Sequence, residues 1–137
     1  MILVDTSAWV EYDRATGSTV HQRLHTLIET DAPLAVSEPI IAEVAAGSRD
    51  DRREGQLRRL LARFELLSFD ATSDFDGAVD IYRHCRRRGV TPRGLLDCMI
   101  AAVALRYRAE LLAHDVDLAR IAAVMPLALD EATTRPI

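Results

Sequence analysis

Short, uninterrupted runs of apolar residues alternate along the chain with longer segments in which apolar residues recur every three to four positions. The runs predict strands, which lie at residues 2–4, 34–36, 66–69, 111–114 and 127–129. The longer segments predict helices, which begin near residues 5–7 and then cover about 17–31, 39–46, 51–64, 72–88, 95–108 and 115–124. Apolar strands separated by helices indicate a parallel sheet with helices on both faces. We therefore predict an α/β fold: a three-layer α/β/α sandwich with a short-stranded parallel sheet, in a single domain over residues 1–137.

Composition narrows the possible chemistry. The chain has 137 residues, and all 17 of its basic residues are arginine. The absence of lysine argues against P-loop nucleotide binding, Schiff-base catalysis, phosphate-transfer receiver domains and haloacid-type phosphatases, each of which uses a lysine amine. No G-x-G-x-x-G motif follows a predicted strand, which argues against a dinucleotide-binding fold. Aromatic residues make up only 5% of the chain, so the core must be aliphatic.

Charge, cysteine spacing and hydropathy bear on location and partners. The formal charge of −4 gives no bulk basic field to attract nucleic acid. Cys85 and Cys98 are thirteen positions apart, which fits neither a zinc site nor a C-x-x-C redox pair, so we expect buried free thiols in a reducing compartment. A strand that begins at Ile2 leaves no room for a signal peptide, and the longest apolar run, Leu95–Leu105, is too short to span a bilayer. We expect a cytoplasmic protein that does not engage membranes.

Three acidic residues follow predicted strands. Asp5 comes directly after the first strand, and Asp115 and Asp117 come after the fourth. Ligands of open parallel sheets bind at the carboxyl ends of the strands, where the strand order reverses. If the first and fourth strands are neighbours at that point, these three carboxylates meet there. The alternatives are a helix cap at Asp5 and an Asx-turn at residues 115–117.

Two further acidic residues, Glu43 and Asp97, lie on helices that are otherwise almost entirely apolar. An unpaired buried carboxylate is costly, so each needs an arginine, a helix end or a metal ion as its partner. Asp97 lies in a first turn and can complement the positive helix end, whereas Glu43 lies past the first turn, where the alternative partner is an arginine. Together the five acids predict one pocket of hard oxygen ligands that fits Mg²⁺ or Mn²⁺, with one ion or two.

Four segments resemble PIN-domain ribonucleases of the VapC toxin type: Leu3–Val10, Ser37–Val44, Leu96–Ala104 and Leu112–Leu118. They contain the acidic positions in family order and extend over nearly the whole chain. The resemblance implies a PIN-like fold and a metal-dependent endoribonuclease, a hydrolase that cuts structured or looped RNA and leaves a 5′-phosphate and a 3′-hydroxyl. It also implies the toxin of a toxin–antitoxin system, held inactive by a cognate VapB-like antitoxin. We expect a homodimer as well.

The resemblance also assigns roles to individual residues. The catalytic positions are Asp5, Glu43, Asp97 and Asp115. The first three are the primary ligands of Mg²⁺ or Mn²⁺, and Asp115 is a further ligand. Asp117 either binds a second metal ion or contacts the ligands without touching the metal. Thr6 and Ser7 occupy the place of the hydroxyl that helps to hold metal or phosphate. His114 stands where Thr or Asn is common, which leaves open an extra metal contact or a role in proton transfer beside that of a plain polar strand end.

An acidic pocket repels RNA, so another surface must attract the RNA backbone. The arginine-rich segments 49–63 and 86–88 are candidates, and a solvated helix face is the alternative for each. Two other functions also remain open. One is a non-catalytic module whose carboxylates grip a basic peptide, and the other is a metal-dependent DNA nuclease of related fold, although the chain is too short for the DNA-gripping additions of that family. Cleavage of RNA in Mg²⁺ but not in EDTA distinguishes the enzyme from the module.

Overall fold

The computed structural model describes residues 1–133. Within them, four strands and seven helices follow one another in the order β1 (Ile2–Val4), α1 (Thr6–Asp13), α2 (Thr19–Glu29), β2 (Leu34–Val36), α3 (Glu38–Ala46), α4 (Asp51–Leu61), β3 (Glu65–Leu66), α5 (Ala71–Arg87), α6 (Leu95–Tyr107), β4 (Glu110–Leu112) and α7 (Val116–Val124). Each of these helices begins after an Asp, Ser or Gly, residues that are favoured at N-caps because they satisfy or expose the first free N–H groups.

The four strands form one parallel sheet in the order β3–β2–β1–β4. Ile2 lies opposite Leu34 in β2 and opposite Glu110 in β4. Every residue of β1 and β2 is buried, and because successive strand residues point to opposite faces, the sheet is covered on both sides. The second and third strands follow on one side of β1 and the fourth lies on the other side, so the strand order reverses at β1. The predicted α/β sandwich is confirmed. The first and fourth strands are neighbours, which is the condition under which the acids that follow them meet.

The core is aliphatic, as the composition requires, with one aromatic cluster. Leu3 is fully buried in the centre of the sheet. Trp9 of α1 is also buried, and its ring centroid lies 6.0 Å from that of Tyr12 and 5.5 Å from that of Phe64. This cluster fixes α1, the helix that starts at Asp5, against the end of α4.

Both cysteines are free and fully buried, as predicted, and burial raises the pKa of each thiol. They belong to α5 and α6, which pack along each other. None of the helices found in residues 1–133 combines the length and the apolar character needed to cross a bilayer.

The third strand is shorter than the predicted strand at 66–69. It covers Glu65–Leu66, and the ladder ends where Leu67 N donates to Val36 O (2.7 Å). The chain then leaves the sheet, because Phe69 N donates to a side-chain oxygen of Glu38 (2.9 Å). Apolar character predicts burial only in part here, since Leu67 is buried whereas Leu66 is 47% exposed. The backbone partner of Phe69 is a side chain and not a neighbouring strand.

The predicted strand at 127–129 is reduced to one bridge, in which Leu129 pairs with Leu111. The fourth strand likewise ends at residue 112, two residues before its predicted end. Ala113 is fully buried, yet its N–H donates to Thr133 Oγ1 (3.2 Å) and not to another strand. Strand length at this edge of the sheet is therefore limited by hydrogen-bond partners that the apolar pattern does not report.

Candidate active site

The carboxyl ends of β1 and β4 are joined by a backbone hydrogen bond, in which Asp5 N donates to Leu112 O (2.9 Å). Asp5 follows β1 as the N-cap of α1, and Asp115 follows β4 as the N-cap of α7. Helix α3, which carries Glu43, packs against α1 and against α6, which carries Asp97. The reversal of strand order thus brings acidic residues from distant parts of the chain to one edge of the sheet.

Asp5 is 3% exposed, and only one of its two carboxylate oxygens is hydrogen-bonded. Oδ2 accepts from the N (3.0 Å) and the Oγ (2.5 Å) of Ser7. Oδ1 is buried and has no hydrogen-bond partner among residues 1–133. Asp74, which is equally buried, accepts two hydrogen bonds from Arg106 instead (3.0 and 2.7 Å). A buried acceptor without a donor is destabilising, so the position beside Asp5 Oδ1 suits a cation.

Thr6 and Ser7 use their hydroxyl groups to hold carboxylates. Thr6 Oγ1 donates to Glu43 Oε1 (2.7 Å) and so links α1 to α3. Ser7 Oγ donates to Asp5 Oδ2 and accepts from His114 N (2.9 Å), which links α1 to the end of β4. Glu43 is in none of the ion pairs formed within the described chain, so the alternative of an arginine partner is wrong.

The second part of the pocket consists of Asp97, Asp115 and Asp117, each of which offers a carboxylate oxygen within 4.8 Å of the other two. Asp115 Oδ1 also accepts from Asp117 N (2.7 Å), so the predicted Asx-turn is present. Capping by Asp5 is present as well. Neither cap excludes a metal ion, because a carboxylate has a second oxygen and further lone pairs.

The pKa shifts of Asp5 and Asp97 reflect burial and electrostatic interactions among the five acids. Burial, with added repulsion from Glu43 and Asp115, raises the pKa of Asp5 from 3.8 to about 6, although its hydrogen bonds from Ser7 act in the opposite direction. Burial raises the pKa of Asp97 from 3.8 to about 7, and the charges of Asp115, Asp5, Asp117 and Glu43 add to this. Asp97 therefore interacts with each of the other four acids.

Arg93, which the sequence analysis did not single out, contacts two of these carboxylates. It lies in the loop between α5 and α6, with its Nε bonded to Asp117 Oδ2 and its Nη2 3.7 Å from Asp115 Oδ1. Arg120 contacts the other oxygen of Asp117 at 3.4 Å. In the sequence, only its position four residues before Asp97 pointed to Arg93. A loop residue belongs to no helical or strand pattern that would mark it as part of a site.

His114 and the first arginine-rich segment contact carboxylates outside the pocket. His114 Nε2 lies 3.5 Å from Glu11 Oε1. In the segment 49–63, Arg53 lies 2.5 Å from Asp13, and Arg58 2.8 Å from Glu54. These two arginines therefore form ion pairs on a solvated helix surface, which is the alternative to RNA binding for this segment.

The pocket can therefore hold a divalent cation through hard oxygen ligands. A cation beside Asp5 Oδ1 would satisfy the unpaired oxygen and screen the repulsion that raises the pKa values of Asp5 and Asp97. No His or Cys belongs to the metal-binding group found in residues 1–133, so the donor set favours Mg²⁺ or Mn²⁺ over softer ions.

Comparison with known proteins gives concordant matches. The family model for the PIN domain matches residues 2–124. Ribonuclease VapC11 of Mycobacterium tuberculosis (strain H37Rv) is 43% identical over 128 residues, which cover 93% of this chain and 96% of the relative.

Two solved structures show the same fold. VapBC2 from Rickettsia felis, bound to a DNA fragment from its promoter, superposes with a TM-score of 0.74 and 21% identity over 95% of this chain and 98% of that chain. A toxin–antitoxin complex from Klebsiella pneumoniae superposes with a TM-score of 0.65 and 21% identity over 85% of this chain and 88% of that chain.

Proposed function

The chain belongs to the PIN domain family as a VapC-type endoribonuclease, and on this premise we propose that Mg²⁺ held by Asp5, Glu43, Asp97 and Asp115 supports hydrolysis of structured or looped RNA. The observation that carries the proposal is the unpaired, buried Oδ1 of Asp5 in a pocket of four other carboxylates. Mn²⁺ is chemically acceptable to the same ligands. We place Asp117 as an additional ligand or as a residue behind the ligands, since arginines already contact both of its oxygens.

The ion supplies Lewis acidity when bound: activation of water and neutralisation of charge at the scissile phosphate. The protein supplies orientation. The hydrogen bonds from Ser7 fix Asp5 so that Oδ1 remains unpaired, and the hydrogen bond from Thr6 fixes one oxygen of Glu43. We therefore assign Thr6 and Ser7 to the positioning of carboxylates, and a contact with substrate phosphate remains a prediction for both.

We also propose a cognate VapB-like antitoxin as the partner of this chain. The net charge of the five carboxylates and Arg93 is negative, so a basic side chain of the antitoxin would be attracted to the pocket and would compete with the metal ion. A homodimer, cytoplasmic location and a single PIN domain over residues 1–137 remain predictions as well.

The test is cleavage of a labelled RNA stem–loop by the purified protein. We expect products with a 5′-phosphate in Mg²⁺ and no products in EDTA or with the Asp97→Asn variant. A DNA stem–loop of the same sequence should stay intact. Binding of RNA without turnover would support a non-catalytic module, and cleavage of the DNA alone would support a DNA nuclease.

A further inference from the structure

The last part of α5 carries three arginine side chains that line one open concavity. These residues, Arg83, Arg86 and Arg87, are all exposed, and the concavity has a volume of about 290 Å³. Positions i, i+3 and i+4 lie on one face of a helix, and we call this set the arginine face. We propose that the arginine face binds the phosphate backbone of a single-stranded segment of the RNA substrate. The inference rests on the proposed function, since it extends the substrate site of the same enzyme.

The arginine face is not neutralised by carboxylates. None of its three guanidinium groups forms an ion pair with any residue of the described range 1–133. Three neighbouring positive charges without partners create a local field that attracts a polyanion, and guanidinium groups bind phosphate oxygens in pairs.

The arginine face extends to the start of α6. Arg83 and Arg86 also line a second concavity of about 420 Å³, to which Gly94 and Leu95 contribute. Leu95 is the first residue of α6, and Asp97 belongs to the same turn but points to another side of the helix, because residues two positions apart do not share a face. An RNA strand on the arginine face therefore has to pass over the start of α6 to reach the carboxylates.

Tyr82 offers a surface for a base beside these phosphate contacts. Its half-buried ring lines the second concavity together with Val79 and Leu95, and the Cζ of Arg86 lies 6.0 Å from the ring centroid. Proteins that bind single-stranded RNA combine a basic groove with aromatic rings and guanidinium planes on which bases stack. The combination here favours backbone and stacking contacts over readout of base edges.

Stabilisation of the helix end explains only part of this arrangement. Arg86 and Arg87 lie in the last turn of α5, where cations complement the helix dipole. Arg83 lies one turn earlier. The dipole gives no reason for all three side chains to line one concavity without a carboxylate among them.

The test compares RNA binding by the wild-type chain with binding by a triple variant, Arg83→Gln, Arg86→Gln and Arg87→Gln. Anisotropy of a fluorescein-labelled RNA stem–loop measures Kd in EDTA, where no cleavage interferes. Each phosphate contact on a single strand contributes about 0.7 to the slope of log K against log salt concentration. We expect the slope to fall by about 2 and Kd to rise about 100-fold at ~0.1 M salt. In Mg²⁺, KM should rise while kcat at saturating RNA stays within about twofold.

A double variant outside both arginine-rich segments is the control. Arg14→Gln and Arg108→Gln remove charge from exposed arginines that form no ion pair in the described chain. Its Kd should stay within about threefold of the wild-type value. The variant with Arg83→Lys, Arg86→Lys and Arg87→Lys should keep the salt slope, because it keeps the charge.

Three results would overturn the inference: equal weakening by both glutamine variants, unchanged binding by the α5 variant, or a change in its oligomeric state measured by light scattering. The last result would make the arginine face a contact between copies of the chain. If the triple variant fails to fold, Arg87→Gln alone decides, with an expected slope change of about 0.7. Absence of Mg²⁺-dependent cleavage by the wild-type chain would instead contradict the proposed function, while the binding comparison stays valid.

Discussion

Replacement of Asp97 by Asn should stabilise the metal-free protein, the opposite of what most substitutions near a core do. Burial and the neighbouring carboxylates raise the pKa of Asp97 from 3.8 to about 7. Between these two pH values the folded chain keeps a proton that the unfolded chain has already lost. The free energy of unfolding of the wild-type chain in EDTA therefore falls as the pH rises through this range, and Asp5, with a pKa of about 6, adds to the fall.

The size of the effect follows from the same pKa values. The interval from 3.8 to about 7 corresponds to about 4 kcal/mol once Asp97 is fully ionised. Asp97 is only half-buried, and solvent screening reduces this by about half, to ~2 kcal/mol. A domain of this size gains about 4 °C in Tm for each kcal/mol, so the Asn variant should melt about 8 °C higher near pH 8 in EDTA. Near pH 4 the difference should vanish.

Calorimetric melts decide the matter, with wild type and variant each measured in EDTA and in Mg²⁺ at constant ionic strength. Mg²⁺ at a hundredfold excess over its Kd should stabilise the wild-type chain by about 2.7 kcal/mol and the variant by less. Asp80→Asn is the matched control, because Asp80 is exposed on α5 and has no ion pair within residues 1–133. A variant that melts lower in EDTA and keeps the full Mg²⁺ shift would refute the reasoning, and Asp97 would then be a structural residue of the helix start.

Three further predictions follow from the same pocket. Asp5→Asn and Glu43→Gln should abolish cleavage in chains that still fold, by a factor of at least about 1,000 in kcat, whereas Asp117→Asn should do less damage; near-normal turnover by either of the first two variants removes that residue from the site. Arg93→Gln removes a competing cation and should lower the Kd for Mg²⁺ about fivefold by titration calorimetry, and a weaker affinity would mean that Arg93 organises the ligands. The antitoxin expected beside this gene should inhibit cleavage at stoichiometric excess, and full activity in its presence would contradict the proposed partner.

The sequence predicts the bounds of a strand well where every residue of that strand is buried. The strands at residues 2–4 and 34–36 are present with their predicted bounds. The pairing of β1 with β4 was a condition of the predicted pocket and did not follow from the apolar pattern, because helix capping also explains acidic residues after both strands. The strand at 127–129 was mispredicted because its leucines are apolar for burial and only one of them pairs with the sheet.

The candidate site could likewise be predicted only in part. Isolated acids on apolar helices are visible in a sequence, since they conflict with their surroundings. The partners of these acids are not visible: the hydroxyl of Thr6 on Glu43 and the guanidinium of Arg93 on Asp117 depend on packing between elements far apart in the chain. Which oxygen of Asp5 is left unpaired is equally a property of the folded state.

The bond from Asp5 N to Leu112 O joins the ends of β1 and β4, which are made at widely separated times during synthesis of the chain. Ribosomes add about 5–20 residues per second, so about 5–20 s pass between the appearance of Asp5 and that of Asp115. Over that interval β1 has β2 as a partner but lacks β4, and the carboxylates that follow β4 do not yet exist. The carboxylates that follow β4 are therefore the last of the five to be made, and the site cannot be complete before residues 115–117 have emerged and β4 has paired with β1.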